Sequence, residues 1–166
     1  MIHQLLQKLD RMAGLPEASA HCDIPCGIYD PIVAQISALT VIRMVDLMND
    51  LIKDESVSKL EFHNKMGRYI TVKEEHAQQC EKEIRIIWGD YMKAAHIDKY
   101  PELHGLVHKI MGLASKAKQT VSREAAVELL EAINRFAEIF WETKGKATKR
   151  AKAPYAPAEE VVYPVL

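Results

Sequence analysis

The chain has 166 residues, of which 48% are hydrophobic and 27% are charged, and its formal net charge is −1 at pH 7. This length favours a single domain with a substantial core. Three cysteines are too few, and odd in number, for a disulfide framework. The low net charge argues against a nucleic-acid partner. We see no run approaching the roughly 18 apolar residues of a membrane-spanning helix, so we expect no membrane partner either.

Residues 1–20 form a separate N-terminal segment. Its apolar residues recur at helical spacing between polar ones, which predicts a short amphipathic helix and not the continuous apolar core of a secretory signal. Without an export signal, we expect the product to be cytoplasmic. The segment ends in small residues directly before His21, as a processing site would. The apolar positions are Ile2, Leu5, Leu6, Leu9 and Met12.

Residues 21–31, with the sequence HCDIPCGIYDP, carry the densest chemistry of the chain. They place one imidazole and two thiols, from His21, Cys22 and Cys26, on a short segment that its proline and glycine residues favour as a turn. Thiolates and nitrogen donors bind soft and borderline transition metals. Structural zinc normally needs four protein ligands in two separated pairs, and only one pair occurs here.

Cleavage before His21 would change what this loop can bind. The new α-amine, the backbone nitrogen of Cys22 and the thiolates of Cys22 and Cys26 would then form a tetragonal set, with the His21 imidazole on the axis. Such surroundings are typical of nickel(II) or copper(II), and the anionic donors favour a one-electron redox site. On this chemistry alone, a metal site and a reducible Cys22–Cys26 disulfide both stay open.

The chain leaves this loop through a predicted helix that begins at Asp30-Pro31. There a capping carboxylate precedes a proline at the first helical position. The helix reaches Ile52 in this interpretation. Its apolar stripe is wider than one neighbouring helix needs, so we expect part of it to meet another subunit.

Three further segments carry the apolar spacing of helices. Cys80 lies on the apolar seam of the first of them and is predicted to be a small buried hydrophobe, whereas His96 is expected to be solvated. No segment alternates with period two long enough to form a sheet. The pattern therefore predicts an all-α fold, a four-helix bundle with an N-terminal metal-binding hook. The three segments run from a Ser56 cap to Tyr91, from Pro101 to Ala117 and from a Ser122 cap to Trp141.

Residues 148–166 differ in composition from the helical part. Basic residues dominate their start and three prolines interrupt the rest, which predicts an extended or disordered tail. A basic contact with a partner is the less favoured interpretation, because the charges come without an aromatic platform.

The loop sequence closely resembles the nickel-binding hook of nickel superoxide dismutases. The resemblance continues in three further blocks, WGDYMK from Trp88, KYPELH from Lys99 and IFWETK from Ile139, and it spans roughly residues 21–147. This is the whole mature domain of that family. The resemblance identifies residues 1–20 as a pro-segment that a processing peptidase removes.

The resemblance implies a nickel cofactor and the disproportionation of superoxide to oxygen and hydrogen peroxide at a Ni(II)/Ni(III) site. The implied metal ligands are His21, through its amine and axial imidazole, Cys22, through its amide and thiolate, and Cys26, through its thiolate. Superoxide is the implied substrate, and the implied assembly is a homohexamer.

The residues implied around the metal have several different roles. Tyr29 and Tyr91 would line the approach, and Asp23 and Asp90 would lie around the ligands. We interpret Lys93 electrostatically, since its ammonium would attract an anionic substrate, a rate effect that salt should weaken.

Two positions depart from the pattern of the family. Its best-known members steady the axial imidazole with a glutamate on the first helix, paired to an arginine on the second, and counting places Ser37 and His76 there. Serine could still accept a hydrogen bond from the imidazole, and such partners set ring orientation. We therefore expect the same metal and reaction with a retuned axial ligand.

Two other functions stay open on the residues themselves. The hook could belong to a non-catalytic helical protein that buffers or delivers nickel or copper and consumes superoxide only stoichiometrically. Cys22 and Cys26 could instead form a thiol-redox module, whose activity would not need a metal.

Overall fold

The structure, a computed structural model, describes residues 27–166. The predicted pro-segment and the residues His21, Cys22, Asp23 and Cys26 lie outside this range. The described chain forms four long helices, α1 (Ile32–Lys53), α2 (Lys59–Ile86), α4 (Leu103–Gln119) and α5 (Arg123–Thr143). The shorter elements are a π-helical turn (Ile87–Tyr91), helix α3 (Ala94–Lys99) and strands β1 (Thr148–Lys152) and β2 (Glu160–Pro164).

The long helices close into a four-helix bundle, as the sequence predicts. Helix α1 packs against α2 and α5, and α4 packs against the same two helices. Each helix contributes one apolar stripe to a common core, because burying that stripe drives the association of amphipathic helices. The largest fully buried apolar side chains include Ile42, Ile84, Leu103, Ile110, Ile133, Phe136 and Phe140.

Local capping sets where the helices begin. The Asp30 carboxylate accepts a hydrogen bond from the backbone N–H of Ile32 at 2.8 Å, and the Ser122 hydroxyl accepts one from the N–H of Ala125 at 3.1 Å. The Ser122 cap is confirmed. Asp30 bonds the first residue of α1, but Pro31 is the N-cap residue of this helix and not, as the sequence predicts, its first helical residue. The Ser56 cap is wrong: Ser58 caps α2 instead, while Ser56 bonds the Asp54 carboxylate in the preceding turn.

Helix α1 is long and apolar enough, by length and composition alone, to cross a membrane. This corrects the expectation that no segment approaches such hydrophobicity. Half of its most apolar window is buried inside the bundle. Its apolar side chains Val33 and Ile36 remain 43% and 45% exposed.

Lys73 is a buried cation between α2 and α4. Its side chain is 2% exposed, and Nζ donates hydrogen bonds to the backbone oxygens of Ala117, Lys118 and Thr120 at 2.5, 2.6 and 3.0 Å. The last carbonyls of a helix lack intrahelical partners, so this ammonium caps the end of α4. Burial lowers the pKa of Lys73.

The tail forms an antiparallel β-hairpin, so the expectations of disorder and of an absent sheet are wrong, although its backbone is extended as predicted. Thr148 pairs with Pro164 and Lys152 with Glu160. A two-stranded hairpin is marginal alone and gains stability by packing on a helix. Val161 and Val162 are buried at 1% exposure each.

Two polar contacts fasten the hairpin to α5. The Arg150 guanidinium pairs with the carboxylates of Glu131 and Glu138 at 2.7 and 2.9 Å. The buried Asn134 side chain donates to the backbone oxygen of Glu160 at 2.8 Å and accepts from Gln35 of α1 at 2.9 Å. These partners lie far apart in sequence, which is why local composition did not predict them.

Candidate metal centre

The described chain begins with the last residues of the predicted hook. Gly27 has a φ of +85°, a left-handed conformation that glycine adopts without the steric cost other residues meet. The Asp30 carboxylate then accepts a hydrogen bond from the N–H of Ile32, the first residue of α1. The exit of the loop is therefore fixed to the N-terminal end of α1.

The predicted approach residues lie together. The rings of Tyr29 and Tyr91 are 5.6 Å apart between centroids and tilted by 45°. Tyr91 comes from the π-helical turn that follows α2, at a position where the sequence predicts continuous helix to Tyr91. Such turns occur frequently at functional sites, since they change the direction in which side chains emerge.

Tyr91 is held on several sides by side chains from other elements. Its ring stacks on that of His96 at 5.3 Å and lies 5.1 Å from that of Phe140, and the Lys144 ammonium lies 4.3 Å from its centroid. The expectation of a solvated His96 is wrong, because its ring is half-buried against Tyr91. The contacts of Tyr91 with Phe140 and Lys144 could not be predicted from the sequence, because these residues lie far from Tyr91 along the chain. Both fall in the IFWETK block.

The hydroxyl of Tyr91 has a fixed role as a donor. Its oxygen lies 2.8 Å from Oγ1 of Thr143, whose own proton goes to the backbone oxygen of Phe140 at 2.6 Å. A carbonyl oxygen only accepts, and a threonine hydroxyl has one proton. Tyr91 therefore donates to Thr143 and is tied back to the end of α5.

Lys93 and Asp90 are neighbours through the backbone. The Lys93 ammonium donates to the backbone oxygen of Asp90 at 2.7 Å, and the backbone N–H of Lys93 donates to Nδ1 of His96 at 3.2 Å. Because Nδ1 accepts in this bond, the proton of a neutral His96 ring lies on Nε2. Both predicted residues thus stand beside Tyr91.

Ser37 and His76 line one groove between α1 and α2. Ser37 is buried at 4% exposure, and His76 is half-buried. Nδ1 of His76 lies 2.8 Å from the backbone oxygen of Val72, so Nδ1 donates and Nε2 of the neutral ring is an acceptor. The other residues lining the groove are Val33, Ile36, Glu75 and Gln79.

The third cysteine cannot serve as a thiolate ligand. Cys80 is fully buried, as predicted, and its thiol donates to the backbone oxygen of Ala34 at 3.4 Å. Burial raises the pKa of Cys80 to about 12, so the thiol stays protonated at neutral pH. The two thiols left for metal binding are those of Cys22 and Cys26.

Within residues 27–166, no group of three or more His, Cys, Asp or Glu side chains could hold a metal ion. The predicted donors precede this range, so the described residues contribute surroundings: the tyrosine pair, the lysines beside it and the groove with Ser37 and His76. These predicted site residues therefore lie in two places on the bundle. One is the tyrosine pair at the turn after α2, and the other is the groove between α1 and α2.

Comparison with known proteins identifies the family. A model of the family described as nickel-containing superoxide dismutase matches residues 16–144. The chain belongs to the nickel-containing superoxide dismutase family. It is 34% identical over 128 residues to the nickel superoxide dismutase of Streptomyces seoulensis, which covers 77% of this chain and 91% of that protein. It is 35% identical over 126 residues to that of Streptomyces coelicolor, covering 76% and 89%.

Solved structures of nickel superoxide dismutases share the fold. The native structure is 35% identical with a TM-score of 0.65, covering 75% of this chain and 99% of that chain. A structure with nickel ligation of the oxidised state is 34% identical with a TM-score of 0.64 and the same coverage. The family match ends at residue 144, so the hairpin lies beyond it.

Proposed function

We propose that this chain is a nickel superoxide dismutase made as a precursor, whose active form begins at His21. The enzyme disproportionates two superoxide ions and two protons to oxygen and hydrogen peroxide. One observation carries the proposal. In a member of this family, the HCDIPC donor segment is followed within three residues by Tyr29, whose ring lies against that of Tyr91.

The donor chemistry of the hook fits nickel. Removal of residues 1–20 would give His21 a free α-amine beside its imidazole, and Cys22 and Cys26 hold the two available thiolates because Cys80 stays a buried thiol. Nitrogen donors together with two thiolates would suit nickel(II). When bound there, nickel supplies one-electron oxidation and reduction between the Ni(II) and Ni(III) states.

The tyrosine pair shapes the approach to the donors. Tyr29 lies three residues after Cys26, and its ring rests against Tyr91. The Tyr91 hydroxyl donates its hydrogen bond to Thr143, so we assign Tyr91 the role of orienting Tyr29 and excluding bulk water. Asp23 and Asp90 are proposed to lie near the ligands, and Lys93 to attract the anionic substrate.

Ser37 and His76 are proposed to receive the His21 imidazole. The groove lies beside the first two turns of α1. The six residue-to-residue steps from Cys26 to Ile32 can span at most about 20 Å, which keeps the hook near the groove. Nε2 of neutral His76 and the Ser37 hydroxyl can both accept a hydrogen bond from an imidazole N–H. Replacing both by alanine should change the nitrogen coupling in the Ni(III) spectrum; an unchanged spectrum would remove them from this role.

Assembly and location are parts of the same proposal. We infer a homohexamer, which the exposed apolar side chains Val33 and Ile36 on α1 support because they leave an apolar face for another subunit. Native mass spectrometry of the chain from His21 tests the number of subunits. We also propose that the product is cytoplasmic, free of membrane, and trimmed by a peptidase; cell fractionation with mass measurement of the N-terminus tests these points.

The deciding experiment compares two nickel-treated proteins, the chain starting at His21 and the full chain 1–166. Catalytic consumption of superoxide by the trimmed chain alone would support both the activity and the need for the α-amine. A trimmed chain with one extra glycine before His21 is the matched control, because it keeps every side chain and moves only the amine.

The two rival functions give different results in this experiment. A metal carrier would bind nickel yet consume superoxide only in proportion to protein. A thiol-redox module would form a Cys22–Cys26 disulfide and act without metal, so activity that survives chelation would overturn the proposal.

A further inference from the structure

The turn that carries Tyr91 is held by two histidine rings from the helices that follow it. The indole Nε1–H of Trp88, in the π-helical turn, donates a hydrogen bond to Nδ1 of His104 in α4 at 3.1 Å. The backbone N–H of Lys93 donates to Nδ1 of His96 in α3 at 3.2 Å. The turn therefore has one imidazole acceptor near its start and a second one just after its end.

Both hydrogen bonds need a neutral imidazole. An indole N–H and a backbone N–H can only donate, so Nδ1 of each histidine must keep a free lone pair. When the ring gains a proton, both of its nitrogens become donors, and Nδ1–H then opposes the N–H that it accepted before. Histidine is the side chain that ordinarily changes charge between pH 5 and 8. Acidification over this range should therefore loosen the turn at both points.

Ring contacts of the same two histidines extend this constraint to Tyr91. The His96 ring stacks on that of Tyr91, with 5.3 Å between centroids and 22° between planes. The His104 ring meets that of Trp88 edge-on at 5.6 Å. Because Trp88 and Tyr91 belong to one five-residue turn, fixing the indole also restricts the direction of the Tyr91 ring.

The two histidines can take up a proton in the folded protein, since His104 is exposed and His96 is half-buried. Replacing either ring by glutamine leaves the charged groups around it in place, so a change in pH dependence would come from the imidazole itself. Around His96 these groups are Asp90 and Lys93 beside the turn, Tyr29 before α1 and Lys144 after α5. Around His104 they are Lys99 of α3, His108 of α4, and Glu102, which pairs with Arg135 of α5.

We propose that His104 and His96 are positioning residues of this enzyme, which hold the turn and the Tyr91 ring against Tyr29 only while both imidazoles are neutral. Acidification would then loosen the approach while the bundle stays folded. Neither ring touches the reacting atoms. The inference rests on the proposed function, but the hydrogen bonds that it invokes can be measured without nickel. The competing role is packing alone, in which protonation of the rings changes nothing at the turn.

The indole proton of Trp88 reports its bond to His104 directly. The chain has two tryptophans, so nitrogen–proton NMR spectra of the metal-free full chain should show two indole signals, which Trp88→Phe assigns. We expect the Trp88 signal to move upfield between pH 8 and 5, with the same midpoint as the ring protons of His104. His104→Gln should abolish this movement, because an amide oxygen accepts the indole proton at every pH.

His108→Gln is the matched control for this measurement. His108 is exposed one turn further along α4, and none of the hydrogen bonds to the turn between residues 27 and 166 includes it. This variant should keep the pH-dependent movement of the Trp88 signal. A wild-type signal that does not move, or that moves as far in His104→Gln, would overturn the inference.

The pH profile of turnover gives a second readout that packing alone would not change. Glutamine at the third position of a helix can also accept the N–H of the N-cap residue, so His96→Gln keeps the bond to Lys93. In the nickel-loaded enzyme, kcat/KM should fall between pH 8 and 6 about fivefold further in the wild type than in the double variant His96→Gln/His104→Gln, the loss typical of one hydrogen bond. Nickel content measured at each pH separates this loss from loss of the metal.

The two measurements fail in different ways. An equal fall of kcat/KM in the wild type and the double variant, at equal nickel content, would overturn the positioning role of the rings. A wild type that consumed no superoxide would contradict the proposed function instead. The movement of the Trp88 signal would then still decide whether neutral His104 holds the turn.

Discussion

The middle of α2 and the turn that follows it treat their polar groups in opposite ways. Near its middle, Lys73 is buried and gives hydrogen bonds to three carbonyl oxygens of the α4 terminus. After its C-terminal end, the π-helical turn carries Tyr91 beside Lys93 and Lys144, whose charges no carboxylate of the described chain neutralises. A saturated polar group contributes to stability alone, whereas an uncompensated charge at the surface is available to a ligand.

This difference predicts which property a substitution should change, stability or turnover. Changes around Lys73 should lower the free energy of unfolding and leave turnover per folded molecule intact. Changes in the hook or around Tyr91 should lower turnover and have a smaller effect on the free energy of unfolding.

The largest effect is expected for Cys26→Ser in the chain from His21. Loss of a thiolate ligand should lower superoxide turnover more than the roughly 10- to 100-fold typical of residues that only orient a ligand. Stopped-flow kinetics with measured nickel content tests this. Cys80→Ala is the control: it should destabilise the core yet keep nickel and turnover, and retained turnover in Cys26→Ser would exclude the hook as the metal site.

Thiol labelling should distinguish the buried cysteine from the two in the hook. Because burial raises the pKa of Cys80 from 9.0 to about 12, its thiolate fraction at pH 8 is about a thousandfold lower than that of an ordinary thiol. A disulfide reagent should therefore label two thiols in the folded metal-free protein and three after unfolding.

The same thiol gives stability a definite dependence on pH. Its folded-state pKa is raised, so the neutral Cys80 thiol stabilises the fold fully below about pH 9. This contribution is lost as the pH rises from there toward 12, where the unfolded chain ionises first. Cys80→Ala should flatten that part of the pH profile; an unchanged profile would mean that Cys80 is not the group responsible.

Lys73→Met should produce the largest loss of stability among the variants proposed for the bundle. It keeps a long apolar stem but leaves three carbonyl oxygens of α4 without their donor, for which we expect about 3 kcal/mol from chemical denaturation. Lys65→Met, in an exposed ion pair with Glu61 on the same helix, should cost under about 0.5 kcal/mol. A Lys73→Met protein that lost turnover while folded would contradict the division between the middle of α2 and the turn that follows it.

Asn134→Ala tests the attachment of the hairpin. It removes the buried link from Gln35 to the backbone of Glu160, and we expect a loss of about 2 kcal/mol in the free energy of unfolding. Asn64→Ala, at an exposed position on α2, should change stability by less than about 0.5 kcal/mol. Equal losses in the two variants would mean that the hairpin contributes little to the bundle.

The sequence predicts features that are local. The amphipathic stripes predicted the bundle, the spacing around Cys80 predicted its burial, and Asp30 and Ser122 predicted two helix starts, because each depends on residues a few positions apart. The HCDIPCGIYDP segment was recognisable for the same reason. The placement of its metal ligands stays a prediction, since those residues precede the described range.

What the sequence did not predict depends on contacts between distant residues. The hairpin looked too polar to fold because the carboxylates that pair with Arg150 lie on α5, and the π-helical turn has no spacing signal of its own. His96 looked solvated because its ring meets Tyr91 across the break between the π-helical turn and α3, a contact that helical spacing does not predict. Sequence reasoning thus found Tyr91 and missed the side chains that hold it.

The smallest effect is expected where the two kinds of region meet, at the hydrogen bond from Tyr91 to Thr143. Tyr91→Phe keeps the ring against Tyr29 and removes only the donated proton, so we expect a loss of about 1 kcal/mol in stability. Turnover should fall by less than about tenfold, because the bond orients the ring and the phenol proton does not reach the substrate. Thr143→Val removes the same bond from the other side, so the two variants should have similar turnover. A Tyr91→Phe enzyme far slower than Thr143→Val would show that the Tyr91 hydroxyl leaves Thr143 during turnover and acts directly on superoxide or its product.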